Sequence, residues 1–422
     1  MVIASLLVSC MESSELPNPE VQSFLERRAI LTKAANERLS SGITQEDIEN
    51  YLALQMDISC TDIKDILRYD IDDDVYVFIV NLKDGGWLLC SGDYSSVPVI
   101  ATSESGYLDL SGKLSKHTQG WLQTIRNQII SNRESTSETV CSNRNNWIKV
   151  KRALLSREED LDTQDVEIVI IMDTLHYEFY PALTETSWDQ GYPYNQALPK
   201  RYDSVFRCVA GCTVVAIAQL LYYTHYAFGL PNDIYEESSC DDYYNEGPPY
   251  SFAFSSPSAT TWDLMSPTYN GITNSDPYIP ALYALIASRS NTTYTPDYGE
   301  TLETYIPSTL ASFLLTGVTS QGFYSPDIRD EVADDRPVLC GGISPSTYEA
   351  HSFLIDGYRW EILRETELIY DTEGHLLSQN VFNYNILIWH INTGEHPTHS
   401  MWSNNDYYYT LNRKMFIGWS LD

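Results

Sequence analysis

Residues 212–223, Cys212-Thr213-Val214-Val215-Ala216-Ile217-Ala218-Gln219-Leu220-Leu221-Tyr222-Tyr223, carry no charged side chain and follow directly on Gly211. An amphipathic surface helix shows a polar face at this length; a helix apolar on nearly all sides must be enclosed by other elements. Any fold for this chain therefore has to wrap layers around a central helix that begins with a cysteine. A thiol at a helix N-terminus meets unsatisfied backbone N–H groups and the positive end of the helix dipole, both of which favour the nucleophilic thiolate. Far downstream, Ala350-His351-Ser352-Phe353-Leu354-Ile355-Asp356-Gly357 places a histidine at the head of a strand. A histidine delivered from a second element takes or returns the proton that activates a cysteine for acyl transfer.

The chain has 422 residues, 43% of them hydrophobic, enough for two or three domains. Its 26 Lys and Arg against 58 Asp and Glu give a net charge of −32, which excludes nucleic acid and other polyanions as natural partners. The stretch Met1-Val2-Ile3-Ala4-Ser5-Leu6-Leu7-Val8-Ser9-Cys10 is apolar and ends in Leu-Val-Ser-Cys. It resembles the lipobox of bacterial lipoproteins, which makes Cys10 a candidate lipidation site and the chain an exported or surface protein. No basic residue precedes the apolar run, unlike an ordinary signal peptide. The other cysteines form neither a CxxC pair nor a zinc-spaced cluster, and those besides Cys10 and Cys212 are open to either disulfides or buried thiols.

Along the chain, residues 1–10 read as a lipoprotein-type signal and 11–27 as a Pro/Glu/Ser-rich tether. Residues 28–131 have their own pattern: helices near 28–40 and from Thr44, a strand pair Val75–Leu82 and Trp87–Ser91 about the Lys83-Asp84-Gly85-Gly86 turn, and a helix over 113–131. Segment 132–165 is charged and Ser/Thr-rich, the expected linker, with proteolytic nicking expected between 132 and 180. Residues 166–422 read as one domain of two halves. The first is helical, with a further helix at 278–288. The second is stranded, at 336–343, 351–356, 359–371, 378–392 and 406–420.

Several segments in the same order resemble the streptopain family of bacterial cysteine peptidases. They are Trp188-Asp189-Gln190-Gly191-Tyr192-Pro193-Tyr194-Asn195, Gly211-Cys212 through Gln219, Trp262-Asp263-Leu264-Met265, Arg336-Pro337-Val338-Leu339 and His351 through Gly357. Upstream, Gly85-Gly86-Trp87 through Ser91-Gly92-Asp93, with Pro98-Val99-Ile100 and Ser105-Gly106, resembles the family's inhibitory prodomain. The resemblance implies an α+β, papain-like, two-lobed peptidase domain preceded by a small α+β prodomain. The chain is then a zymogen whose partners are protein or peptide substrates and its own prodomain, with no cofactor and no metal. It implies Cys212 as nucleophile, His351 as general acid/base, Gln190 as oxyanion-hole donor and Asn392 as the group that orients the histidine.

Each of these residues has a plainer reading. Cysteines are often small buried apolar residues, and Cys208 is a second candidate nucleophile. His351 also suits a core strand, and Gln190 a turn. His390, His396 and His399 tempt as a metal cluster, but His396 and His399 flank Pro397 in a loop without a third ligand. The sequence also departs from the family. Its His-x-Asn-Trp-Gly-Trp stretch is here His390-Ile391-Asn392-Thr393-Gly394-Glu395, with both tryptophans missing. Retained activity requires another aromatic from residues 396–409, Trp402 first among them, over the Asn392–His351 contact. A non-catalytic, peptide-binding family member is the rival reading. An adhesive surface lipoprotein, suggested by the Tyr-rich stretches 222–226 and 242–250, is a second.

Overall fold

The computed structural model describes residues 42–135, then 137, 140, 143, 144, 146, 147 and 150, and 166–421 apart from 201–205, 232–237, 243–249, 255–261, 269–277, 296–297, 345–348, 372 and 397. The expected signal, Cys10, the tether, the first helix and most of the linker lie outside the described residues.

The described chain opens with α1 (Gln45–Gln55). Its start is a reciprocal cap: the Thr44 side chain accepts from the Asp47 N–H, and the Asp47 carboxylate accepts from the Thr44 N–H at 2.7 Å. An antiparallel meander follows, β1 (Ile63–Asp70), β2 (Tyr76–Leu82), β3 (Trp87–Ser91) and β4 (Val99–Ser103). Strand β2 is buried on both faces. Val77 and Ile79 pack with α2 (Lys116–Glu134), while the alternate residues Phe78 and Val80 pack with Ile48 and Leu52 of α1. Ser115 caps α2 by accepting from the Thr118 N–H at 3.0 Å.

After β5 (Val166–Tyr180) come α3 (Cys212–Phe228), α4 (Tyr278–Arg289), β6 (Thr319–Gly322), α5 (Ser325–Ala333), β7 (Val338–Ile343), β8 (Ala350–Asp371), β9 (Leu376–Asn392), β10 (Ser400–Asn404) and β11 (Leu411–Ile417). One eleven-stranded sheet unites the molecule in the order β1-β2-β3-β4-β10-β9-β8-β7-β11-β6, with β5 added to β8. The join lies between β4 and β10, where Thr102 faces Trp402 and Ala101 faces Ser403. The N-terminal meander and the C-terminal strands thereby cover each other's open edges.

Two large cores flank this sheet. In one, Trp121 and Ile125 of α2 pack with Val338, Phe353, Ile355 and Tyr408, so the N-terminal helix shares a core with the C-terminal strands. In the other, α3 and α4 pack with Trp188 and Trp262. Helix α3 is enclosed as its composition demands, with every residue from Thr213 to Leu221 buried. Its Val, Ile and Leu side chains each contribute ~1.5–3 kcal/mol of apolar burial. It ends at Gly229, whose N–H bonds the His225 carbonyl.

The structure revises the strand reading in several places. The expected strands 351–356 and 359–371 are one strand, β8, that continues through Gly357. Strands β1, β4, β6 and β10 and the whole of β5 are additional. β5, β8 and β9 run out together as a long arm, on which Ile170, Met172, Leu175 and Tyr177 are exposed. The in–out alternation that would mark a half-buried strand is therefore absent from its sequence. Among the described residues no helix is long and apolar enough to cross a membrane.

Candidate active site

Cys212 is the first residue of α3. Gly211 before it has φ +90°, and a Cβ there would stand 2.5 Å from the Gly299 carbonyl oxygen, so only glycine fits this crossing. Sγ of Cys212 accepts a hydrogen bond from the Ser352 N–H at 3.2 Å. The hydroxyls of Thr213 and Ser352 are 2.8 Å apart. These contacts pin the head of α3 to the head of β8.

His351, the neighbour of Ser352 on β8, is buried at 2% exposure. Neither of its ring nitrogens makes a hydrogen bond of normal geometry. Aromatic rings surround it: Tyr409 at 5.1 Å, Phe353 at 6.0 Å and Tyr408 at 6.1 Å between centroids. The nearest ring belongs to the N-terminal segment. His117, on the first turn of α2, lies 4.5 Å from His351. Its carbonyl accepts from the Tyr409 hydroxyl at 2.7 Å, and Ser344 donates to the Gly120 carbonyl one turn on. A ring nitrogen of His117, one of His351 and Sγ of Cys212 all lie within 4.8 Å of one another.

Enclosure sets the charge states. Burial pushes the Cys212 thiol up, and the Glu395 carboxyl adds to this against the hydrogen bonds from Ser352. Burial also holds His351 well below the ordinary imidazole value, with His117 acting in the same sense. His117 is itself lowered to about 4, chiefly by burial. The helix-dipole argument from sequence expects a thiolate. In the closed structure desolvation outweighs the dipole, and the pair is a neutral thiol beside a neutral imidazole.

Gln190 is buried, and its carbonyl accepts from the Ala210 N–H at 2.9 Å, two residues before the cysteine. Its side-chain Nε2 has no partner, a donor held in reserve near the head of α3. Asp189 ties the same segment to the loop after β9, accepting from the Gly191 N–H and from the His396 N–H at 2.8 Å.

Asn392 departs from its expected place. Its amide donates to the Thr186 carbonyl at 2.7 Å and to Thr184 Oγ1 at 3.1 Å, and its Oδ1 accepts from the Gly394 N–H. No hydrogen bond joins it to His351, whose ring is approached instead by the Thr393 backbone. The turn behind it explains why: Thr393 is buried with its hydroxyl donating to the Thr398 carbonyl at 2.9 Å, and Gly394 at φ +64° lies against Val215. Trp402 does not cover this site either. It packs on His390 and Phe179, leaving Tyr408 and Tyr409 as the aromatics around His351.

The three-histidine cluster does not form. His390 is paired with Asp356, Nδ1 to Oδ1 at 2.6 Å, while His396 and His399 face each other in the following loop. Asp356 in turn accepts from the Thr184 N–H and hydroxyl. Cys60, Cys90, Cys212 and Cys340 are free thiols, and Cys208 is fully buried in the core around α3 and α4. Sequence reasoning missed His117 and the Asp356–His390 pair. His117 carried one signal, being the sole histidine before residue 176.

The Peptidase C10 family model matches residues 188–396, which contain Gln190, Cys212, His351 and Asn392. Streptopain of Streptococcus pyogenes is 24% identical over 301 residues, covering 67% of this chain and 68% of its own length. Among solved structures, a prointerpain A fragment from Prevotella intermedia matches 84% of this chain and 98% of its own, with a TM-score of 0.52 and 19% identity. That likeness extends the shared fold over the N-terminal meander as well as the helical and stranded halves. With the cysteine heading its buried helix and the histidine heading its strand inside the matched segment, residues 188–396 are of the streptopain-like Peptidase C10 family, in a chain of papain-like α+β fold.

Proposed function

We propose that the chain is the zymogen of a cysteine endopeptidase, with residues 28–131 as the inhibitory prodomain. The observation that carries this reading is the His117 ring, supplied by α2, packed on His351 beside Cys212. While α2 is docked, the His351 ring is shut off from solvent and Cys212 beside it is half-buried. A neutral thiol is a poor nucleophile, and a neutral imidazole with no water offers no ion pair to activate it. Release of α2 hydrates the site, which lowers the thiol and raises the imidazole until the proton passes from sulfur to nitrogen.

Cys212 then attacks the peptide carbonyl, and the unpartnered Gln190 Nε2 with backbone N–H groups stabilises the oxyanion. His351 donates its proton to the leaving amine and later takes one from water for deacylation. Asn392 orients the ring after a rearrangement of the 392–395 turn. The test is a fluorogenic peptide assay on full chain treated with reductant, with Cys212→Ala as control. Hydrolysis that depends on Cys212 supports the reading.

A non-catalytic role is the second reading, favoured by the Asn392 amide being spent on Thr184 and Thr186 and by Thr393 and Glu395 at the family's tryptophan positions. It predicts no hydrolysis even after α2 is cleaved away. The same proposal places the protein outside the cytoplasm on a Cys10 lipid anchor. Labelling of cells with a fatty-acid analogue tests this: the wild type takes up label and Cys10→Ala does not.

A further inference from the structure

We propose that His117, Cys212 and His351 form a zinc site that exists only while α2 is docked, so that a divalent, borderline-soft metal ion latches the closed chain. Binding rests on the geometry alone; the word latch rests on the zymogen reading above.

The donor set is the first argument. One thiolate and two imidazoles are ligands that Zn2+ prefers, and a fourth position is left for water. Zinc–nitrogen and zinc–sulfur bonds of ~2.0–2.3 Å place tetrahedral ligand atoms ~3.3–3.8 Å apart. The three donor atoms here already lie within 4.8 Å of one another, so a contraction of ~1 Å, within reach of small side-chain rotations, completes the set.

The second argument is the unmet demand of the nitrogens. His117 Nδ1 and both ring nitrogens of His351 are buried without a hydrogen bond of normal geometry, the Thr393 backbone being the group that approaches the His351 ring. Orphaned polar atoms converging on one thiol are a cost to the closed state that a metal ion removes. The third is the surrounding charge. A zinc ion with one thiolate and two neutral imidazoles keeps a single positive charge, which favours ionisation of the buried Glu395 carboxyl that acts on Cys212. The fourth is the framing. Tyr409 holds the His117 backbone and packs on the His351 ring, and the α3–β8 contact through Ser352 fixes Cys212. Ligands held by outer contacts in this way lose less freedom on binding.

Coordination replaces the Cys212 S–H bond with an S–Zn bond and releases one proton to solvent. No ligand is oxidised or reduced. Because His117 comes from α2, release of α2 removes one of three ligands, and the ion is expected to leave with the prodomain.

The experiment uses the reduced full chain, stripped with a chelator and titrated with Co2+ as spectroscopic probe, then with Zn2+. One equivalent of Co2+ is expected to give a sulfur-to-metal charge-transfer band with tetrahedral d–d bands, both abolished by Zn2+. Zn2+ is also expected to slow iodoacetamide labelling of Cys212. His117→Ala should weaken binding at least about tenfold, Cys212→Ser should remove the charge-transfer band, and Cys60→Ala, which alters only an exposed thiol, should change neither. Equal affinity in wild type and a folded His117→Ala, or a cobalt complex whose thiolate band follows Cys60, overturns the site. Should His117→Ala fail to fold, Cys212→Ser decides alone: an unchanged band refutes the proposal. A chain that binds zinc through these residues yet cleaves no peptide once stripped and opened keeps the site and refutes the peptidase reading instead.

Discussion

The imidazole of His117 lies 4.5 Å from that of His351, at an interplanar angle of 36°. The two residues are 234 positions apart in the chain, on a helix from the N-terminal meander and a strand from the C-terminal half. Their contact encloses the His351 ring beside the half-buried Cys212. A shared core and a β4–β10 pairing hold the two halves together around it.

His117→Ala tests that contact kinetically. With the ring gone, water reaches His351 and Cys212, and the thiol falls back toward its ordinary value. Iodoacetamide labelling of Cys212 in the metal-free full chain should rise by about tenfold or more at neutral pH. Unchanged labelling would mean that another part of the N-terminal segment excludes solvent.

Glu395 makes the closed form pH-sensitive. Burial, with Asp189 adding and Ser115 opposing, raises its carboxyl to about 8 from an ordinary 4.5. A carboxyl raised on folding is stabilising in its neutral form, so its contribution is whole below pH ~4.5 and is lost as pH climbs through 8. At ~1.4 kcal/mol per unit, the loss approaches ~5 kcal/mol at most. The melting temperature of the full chain should fall between pH 5 and 8.5, and Glu395→Gln should flatten that slope. Parallel slopes for the two proteins would contradict the assignment.

Gly211→Ala should destabilise the fold by ~2 kcal/mol or more. It meets both a left-handed backbone at φ +90° and the Gly299 carbonyl 2.5 Å from the new Cβ. Gly299→Ala should behave likewise, because its Cβ meets the Ala210 carbonyl at 2.7 Å. Urea midpoints measure both. A wild-type midpoint for either variant would show that the crossing has slack.

Asp356→Ala should cost ~3 kcal/mol or more. It strips a buried His390 of its partner, and Thr184 of an acceptor for both its N–H and its hydroxyl. Asp356→Asn, which keeps an acceptor, should cost less. Thermal unfolding of the two variants side by side gives the comparison, and equal losses would point to packing instead of the pair.

Much of the site was legible because its chemistry lies in short segments. An uncharged helix after a glycine has to be buried, and Cys212 heads it; a histidine before an apolar run has to open a strand, and His351 does. The α2 and β2–β3 readings held for the same local reason. Strand β5 was not legible, because a projecting arm exposes residues such as Ile170 and Tyr177 and so loses its alternation. Asn392 shows another limit. Its position follows from sequence, but the direction of its amide follows from Thr184 and Thr186, 208 and 206 residues away. His117 shows the same limit from the other side, since nothing local to α2 says which strand it will meet. Strand β5 also narrows the expected cleavage region, since residues 166–180 are paired along β8, and the expected linker is not exposed throughout, because Val140, Trp147 and Val150 are buried.

Intact-mass analysis of the full chain over time, after metal removal and addition of reductant and a cysteine-directed electrophile, tests the central claim most directly. The account predicts that the wild type first stays unlabelled at Cys212, is then cut within 132–165, and takes up one label at Cys212 only after the cut. Cys212→Ala should remain full length. Labelling of Cys212 in the uncut chain as fast as at exposed Cys60 would contradict the account, because it would mean that the docked α2 does not close the site.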